Sequence, residues 1–142
     1  MVFASSGLRF IPMHNGALKI KDRSYVLELM KDIFFGIPPF SEEEFEEVYQ
    51  TLQNKTVLLR IIGFTRSTKK NFLHEELHKI QDIPTLIIWG KQDTVTPPFI
   101  GEEIKIHLPN AELHYLDECG HVPTYEKPRE CGEIIERFLT TS

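Results

Sequence analysis

The fold is decided by residues 84–98, which read PTLIIWG-KQD-TVTPP. Pro84 precedes an apolar run that ends at Gly90, and a short apolar run between such breakers predicts a strand buried on both faces. Strands of this kind are typical of parallel sheets that are covered by helices on either side. The polar turn that follows carries an acid, Asp93, three residues after the glycine. The segment therefore predicts an α/β protein with a carboxylate at the carboxyl end of a core strand.

A second strand and a histidine follow within one structural unit. After a helical segment, residues 111–116 form another short apolar run, and residues 117–123 read DECGHVP. Loops at the carboxyl ends of neighbouring parallel strands meet in one crevice. Asp93 and His121 are 28 residues apart (121 − 93 = 28), which suits one strand–helix–strand unit of about 30 residues. We therefore expect a hydrogen bond between them, in which a buried carboxylate fixes the tautomer of an imidazole.

With these features the sequence resembles the α/β-hydrolase family, in particular its small esterases, C–C bond hydrolases and haloperoxidase-like enzymes. The resemblance covers about the last sixty residues and implies that Asp93 is the acid and His121 the general base of a catalytic triad, with no cofactor and no metal. The matching pieces are Pro84–Gly90 with Asp93, Cys119–His121, Tyr125–Pro128, and a last amphipathic helix, residues 130–139, that ends in Arg137–Leu139.

The nucleophile of that family is missing from the sequence. The pattern G-x-S-x-G, which carries the serine, occurs nowhere in the 142 residues. The serines are Ser5, Ser6, Ser24, Ser41, Ser67 and Ser142. Ser5 and Ser6 lie at the end of the predicted first strand, where a turn role is favoured over a catalytic one. The resemblance thus implies the C-terminal portion of a serine hydrolase, which is inactive without a serine-bearing N-terminal half.

The domain organisation follows from the same comparison. Residues 1–14 are expected to hold one core strand, within residues 1–7, residues 15–81 a helical cap, and residues 82–142 the C-terminal core, so that the sheet has three parallel strands. In the cap, a helical stripe spans residues 24–35, and residues 57–62 favour a helix over a strand. Ser41 followed by Glu44 forms a capping box that starts another helix. After the acid, Ile100, Ile104, Ile106 and Leu108 are expected to cover the sheet.

A lid of this kind would exclude water and shape an apolar pocket. The candidate substrate-binding residues are Phe34, Phe35, Phe64, Val95 and Val122, although ordinary packing is the simpler explanation for each cap aromatic. The expected substrate is a small, largely apolar ester, amide or activated C–C bond compound.

Composition excludes several other classes. The net charge of −5, from 21 acidic and 16 basic residues, argues against general nucleic-acid binding. Two cysteines make no disulfide framework, so a reducing cytoplasm is expected. Residues 1–6 lack the features of a signal peptide, and no apolar run approaches the roughly 18 residues of a membrane span. A soluble cytoplasmic protein without membrane contact is therefore expected.

A competing motif is His74-Glu75-Glu76-Leu77-His78, which matches the zinc-protease pattern H-E-x-x-H. Its extended form needs glycine and histidine three and six residues after His78, where this sequence has Gln81 and Pro84. We regard zinc binding as the weakest of three hypotheses. The others are the hydrolase portion and a non-catalytic binding or regulatory protein with a truncated hydrolase fold. An exposed first strand would favour pairing with an N-terminal hydrolase half or with another copy of the chain.

Overall fold

The computed structural model describes residues 2–3, 19–68 and 76–141, with only the backbone of residues 2–3 and 64–68. The strands are β1 (Val2–Phe3), β2 (Leu86–Gly90) and β3 (Glu112–Leu116). The helices are α1 (Arg23–Lys31), α2 (Glu42–Gln53), α3 (Lys55–Thr68), α4 (Phe99–His107), α5 (Pro123–Glu126) and α6 (Pro128–Thr141), and residues Leu77–Ile80 form a 3₁₀ helix.

The three strands form one parallel sheet in the order β1-β2-β3. Val2 is in register with Ile87, and Gly90 at the end of β2 is in register with Leu116 at the end of β3. This parallel arrangement confirms the predicted α/β class. Because β2 and β3 are parallel neighbours, the loops that carry Asp93 and His121 leave the same edge of the sheet.

Strand β2 lies at the centre of the hydrophobic core. Leu86, Ile87, Ile88 and Trp89 are all 0% exposed, which confirms the prediction of a strand buried on both faces. Successive side chains of a strand point to opposite faces, so the strand contributes to two clusters. Ile87 and Trp89 pack with α4, and Leu86 and Ile88 pack with Cys119 and α6.

Helix α4 covers one face of the sheet mostly as expected. Ile100, Ile104 and Leu108 are buried against β2, but Ile106 is 76% exposed. The expectation for Ile106 was wrong because it is two positions from Ile104, and residues two apart on a helix do not share a face.

Helices α1 to α3 form a separate helical layer that precedes β2 in the chain. The capping box is present, since Ser41 Oγ accepts from the N–H of Glu44 and the Glu44 carboxylate accepts from the N–H of Ser41. Residues 57–62 are helical, as predicted. Phe45 is fully buried, and the Arg23 guanidinium lies 4.5 Å from the centre of its ring, a cation–π contact that ties α1 to α2.

Three predicted boundaries changed. The helix expected over residues 24–35 ends at Lys31. The N–H groups of Ile33 and Phe34 still bond back to Met30 and Lys31 in tighter turns, while the carbonyls of residues 32 and 33 and the N–H of residue 35 bond to the core. The last helix is longer than residues 130–139 and spans Pro128–Thr141. Of the first strand, predicted over residues 1–7, only Val2–Phe3 falls within the described residues.

Candidate active site

The acid turn after β2 holds Asp93 rigidly. The Asp93 side chain is 0% exposed, and its Oδ1 accepts hydrogen bonds from the backbone N–H groups of Val95, at 2.9 Å, and Thr96, at 2.8 Å. An aspartate that caps the backbone two and three residues ahead forms an Asx turn. The turn engages only one carboxylate oxygen in backbone bonds, so the other oxygen is available to groups outside it.

That second oxygen faces His121. The distance from Asp93 Oδ2 to His121 Nδ1 is 2.9 Å. The Thr96 hydroxyl donates to the same oxygen at 2.8 Å and lies 3.2 Å from Nδ1. The hydrogen bond expected from the spacing of the two residues is therefore present. Sequence reasoning missed Thr96, for which the signal was a hydroxyl residue three positions after the acid.

The network determines which ring nitrogen of His121 carries the proton. An ionised carboxylate only accepts hydrogen bonds, so Nδ1 donates to Asp93, and in the neutral ring Nε2 has a free lone pair. The His121 side chain is 26% exposed. Within residues 19–63 and 76–141, no side chain hydrogen-bonds to Nε2. Such a ring can take a proton from a neighbouring hydroxyl while the carboxylate stabilises the resulting imidazolium.

The acid and histidine loops are joined along their backbones. Lys91 N–H donates to the carbonyl of Leu116 at 2.9 Å, and Gln92 N–H donates to that of Cys119 at 3.0 Å. The Gln92 side chain accepts from Cys119 N–H at 3.1 Å and donates to Asp117 at 2.9 Å. These bonds extend the pairing of β2 and β3 beyond the strands and fix the separation of the two loops. No local pattern had singled out Gln92.

Trp89 anchors the far side of the acid turn. Its ring is fully buried in the core, and its indole N–H donates to the carbonyl of Thr96 at 2.9 Å. A buried carbonyl without a donor would be costly, so the tryptophan both fills the core and satisfies the turn that presents Asp93.

Residues 32–35, which we call the linker segment, connect the helical layer to both loops. The Thr94 hydroxyl donates to the carbonyl of Asp32 at 2.9 Å, and His121 N–H donates to that of Ile33 at 2.8 Å. The segment thus contacts both of the loops that carry the acid–histidine pair. Sequence analysis had assigned it to a helix because Ile33 and Phe34 continue the apolar stripe of α1.

The predicted substrate-binding residues have different surroundings. Phe34 packs against Phe40 and Tyr125, with ring centres 5.8 and 5.9 Å apart, and Phe35 is 43% exposed. Both belong to the linker segment. Val95 and Val122 are half-buried and directly adjoin Thr96 and His121. The side chain of Phe64 lies outside the described residues. The substrate-binding roles of Phe34, Phe35, Phe64, Val95 and Val122 stay predictions.

Cys119 has the properties of a packed residue. It is 0% exposed, and burial, with a further contribution from the negative charge of Glu126, raises the pKa of its thiol to about 12. Since the thiolate is the nucleophilic form of cysteine, Cys119 is not a nucleophile at neutral pH.

The zinc motif gains no support from the described part of the chain. His78 is an exposed residue of the 3₁₀ helix, and His74 and Glu75 are outside the described residues. Among the residues that the structure describes, no group of three or more potential ligands could hold a metal ion. None of the described helices is long and apolar enough to cross a membrane.

The chain belongs to the alpha/beta hydrolase fold family, because residues 29–128 match the model of that family. Monoacylglycerol lipase ABHD6 of Bos taurus is 30% identical over 122 residues, which are 85% of this chain and 35% of the lipase. A 2-hydroxy-6-oxononadienedioate/2-hydroxy-6-oxononatrienedioate hydrolase of Burkholderia vietnamiensis is 26% identical over 141 residues, 92% of this chain and 49% of that enzyme.

A solved structure of the same fold family is also similar to this chain. An alpha/beta hydrolase enzyme from a Medee basin deep-sea metagenome library superimposes with a TM-score of 0.71 at 29% identity, covering 84% of this chain and 45% of that structure. The chain therefore spans between about a third and a half of the proteins to which it is similar. These relatives are hydrolases, which supports the predicted enzyme class.

Proposed function

We propose that this chain is the acid- and histidine-bearing portion of a serine-type α/β hydrolase. The observation that carries the proposal is the 2.9 Å bond between buried Asp93 and His121 Nδ1, with no side chain of residues 19–63 and 76–141 hydrogen-bonded to Nε2. This bond supports the assignment of Asp93 and His121 as two of the three groups of a nucleophilic triad, and they follow one another in the chain order of the family pattern. The serine is supplied by a segment outside the 142 residues, and the chain alone does not hydrolyse substrate.

In this mechanism His121 transfers the proton, and Asp93 orients the His121 ring. Nε2 takes the proton of the serine hydroxyl as the serine oxygen bonds to the carbonyl carbon, and it then gives that proton to the leaving group, which leaves an acyl-serine. Water repeats the two proton transfers and releases the acid. The Thr96 hydroxyl and the N–H groups of Val95 and Thr96 hold the Asp93 carboxylate in place while it orients the His121 ring.

The proposed substrate is a small, largely apolar ester, amide or activated C–C bond compound. An apolar surface near the pair is supported by Val95 and Val122, which are neighbours of Thr96 and His121 in the chain, and by Phe34 and Phe35 of the linker segment, which contacts both loops. The relatives include a monoacylglycerol lipase and an oxononadienedioate hydrolase. We further propose that the chain acts inside the cytoplasm without nucleic acid or membrane partners.

A labelling experiment tests this function. The N-terminal portion of the deep-sea metagenome hydrolase is fused to this chain, and both the fusion and the chain alone are treated with a fluorophosphonate probe. Intact-mass analysis should show one adduct on the fusion and none on the chain alone. The His121→Gln fusion should react about 10²- to 10⁴-fold more slowly, the usual contribution of a general base.

The matched control is His78→Gln, which changes an exposed histidine outside the site and should leave labelling unchanged. A folded fusion in which His121→Gln reacts at the unaltered rate would contradict the proposal. An adduct on the chain alone would also contradict it, since Ser5 or Ser6 would then be a nucleophile.

A further inference from the structure

Glu126 contacts the backbone on both sides of His121. It lies at the end of the short helix α5 and is half-buried. Its two carboxylate oxygens are each 3.0 Å from the N–H of Gly120, and Oε1 is 3.2 Å from the N–H of Val122. The residues immediately before and after the histidine therefore donate to the same carboxylate.

The same carboxylate also reaches the linker segment. Phe35 N–H donates to Glu126 Oε2 at 2.7 Å, across 91 positions of sequence. Between these contacts, His121 N–H donates to the carbonyl of Ile33 at 2.8 Å. Each N–H from Gly120 to Val122 thus has a partner, either Glu126 or the linker segment. Hydrogen bonds to an ionised acceptor are about twice as strong as neutral ones, so bonds to a carboxylate suit a role in holding the loop.

The histidine loop packs closely against the linker segment at Gly120. A Cβ at Gly120 would lie 2.8 Å from the carbonyl oxygen of Ile33 and 3.0 Å from Phe35 N. The backbone of the histidine loop and that of the linker segment are therefore in direct contact.

We propose that Glu126 is a positioning residue that sets the orientation of the His121 ring by fixing both flanking amides, and that it couples this orientation to the linker segment at Phe35. The catalytic consequence rests on the proposed function, whereas the positioning itself does not. Glu126 touches no reacting atom and acts through the backbone. Displacement of the linker segment, for example by a bound substrate, would then be transmitted to the histidine.

The test compares Glu126→Gln with Glu136→Gln, an exposed position on α6 that undergoes the same chemical change. Gln offers only one acceptor oxygen, and its amide N–H₂ group would face backbone donors. The low-field NMR resonance of the proton between His121 Nδ1 and Asp93 reports the ring geometry. In Glu126→Gln this resonance should weaken or disappear, and amide exchange at Gly120, Val122 and Phe35 should rise roughly tenfold to a hundredfold.

If Glu126 only stabilises the fold, Glu126→Gln would raise amide exchange throughout the chain, including at Ile87 in β2. It would then leave the His121 resonance in the folded fraction intact. That result would overturn the inference, as would equal effects of Glu136→Gln. If Glu126→Gln does not fold, the test uses Glu126→Asp, which keeps the negative charge on a shorter side chain. It should shift the resonance, and an unchanged resonance would overturn the inference.

Failure of this inference is distinguishable from failure of the proposed function. If the unaltered chain lacks the low-field resonance, the acid–histidine pair itself is absent, and both the proposed function and the positioning role are wrong. If the resonance is present and Glu126→Gln retains it, only the positioning role is wrong. In the serine-bearing fusion, Glu126→Gln should also slow labelling by the fluorophosphonate probe, while Glu136→Gln should not.

Discussion

Gly90 and Gly120 bring the acid and histidine loops into backbone contact. A Cβ built on Gly90, the last residue of β2, would lie 2.0 Å from the carbonyl oxygen of Gly120 and 2.4 Å from that of Cys119. The strand can therefore end beside the histidine loop only if its last residue has no side chain. This close approach lets the turn after Gly90 place Asp93 against His121.

Substitution of Gly90 by alanine should separate the loops. Overpacking typically costs about 1–3 kcal/mol, and we expect a loss of about 3 kcal/mol because both contacts are with backbone. Urea unfolding followed by circular dichroism measures it. Gly132→Ala is the matched control, since Gly132 lies in α6 with nothing within 4 Å of a Cβ, and it should stabilise the chain by roughly 0.5–1 kcal/mol. Equal stability of the two variants would contradict the steric argument.

Local patterns in the sequence were sufficient for the core of this site. The apolar run ending at Gly90 is a short-range signal, and the spacing of Asp93 and His121 fits one strand–helix–strand unit, so both follow from chain geometry. The capping box at Ser41 is also local. Each of these predictions depends on residues within one element or between adjacent ones.

The rest of the site depends on contacts between distant parts of the chain. Thr94 meets Asp32 across 62 positions, and Phe35 meets Glu126 across 91. Nothing in the pattern of residues 32–35 marks such bonds, since Ile33 and Phe34 continue a helical stripe. The carbonyls of residues 32 and 33 and the N–H of residue 35 bond to distant residues while the preceding turn stays local, and tertiary context commonly overrides a weak helical propensity.

Asp93→Asn should remove the orientation of His121 while retaining the turn. The amide oxygen can still accept from Val95 and Thr96, but its N–H₂ group would face the Thr96 hydroxyl and Nδ1. We expect loss of the low-field imidazole resonance and about 1–3 kcal/mol of destabilisation. In the serine-bearing fusion, labelling should fall by about 10⁴-fold, the size of the effect when the acid of a serine triad becomes its amide.

The control for that experiment is Asp82→Asn, which changes an exposed aspartate before β2. It should alter neither the resonance nor the labelling rate. A resonance that survives in Asp93→Asn would show that His121 donates elsewhere.

Trp89→Phe should loosen the acid turn from within the core. The substitution leaves the buried carbonyl of Thr96 without its indole donor, which we expect to cost about 1–3 kcal/mol and to weaken the His121 resonance. Tyr115→Phe is the comparison, because the Tyr115 hydroxyl donates to the carbonyl of Pro98 at 2.9 Å, outside the acid turn. It should leave the resonance unchanged. An equal effect of both variants on His121 would contradict a specific role for Trp89.

The first strand should make the chain associate. Within the described residues β1 pairs only with β2, so its other edge can pair with an N-terminal hydrolase half or with a second copy. Sedimentation velocity of the chain alone should show oligomers or, failing that, a marginally stable monomer by urea unfolding. The serine-bearing fusion should be monomeric because it supplies the neighbouring strand. A stable monomer of the chain alone would refute this expectation.

The buried thiol of Cys119 should make stability fall in alkaline solution. Its pKa is raised from an ordinary value of 9.0 to about 12 in the folded chain, first by burial. Between these values the unfolded chain has lost a proton that the folded chain keeps, so the free energy of unfolding falls as pH rises, by up to about 1.4 kcal/mol per pH unit. Below the lower value both states are protonated and this dependence vanishes.

Urea unfolding under reducing conditions, from about pH 8 to about pH 10, measures that slope. Cys119→Ala should be less stable at neutral pH, because it leaves a small cavity, but it should show a shallower loss with pH. Cys131, whose pKa burial also raises, accounts for the slope that remains, and the double alanine variant should be flatter still. Identical slopes with and without Cys119, or rapid reaction of its thiol with a disulfide reagent in the folded chain near pH 8, would show that it is not held as a buried thiol.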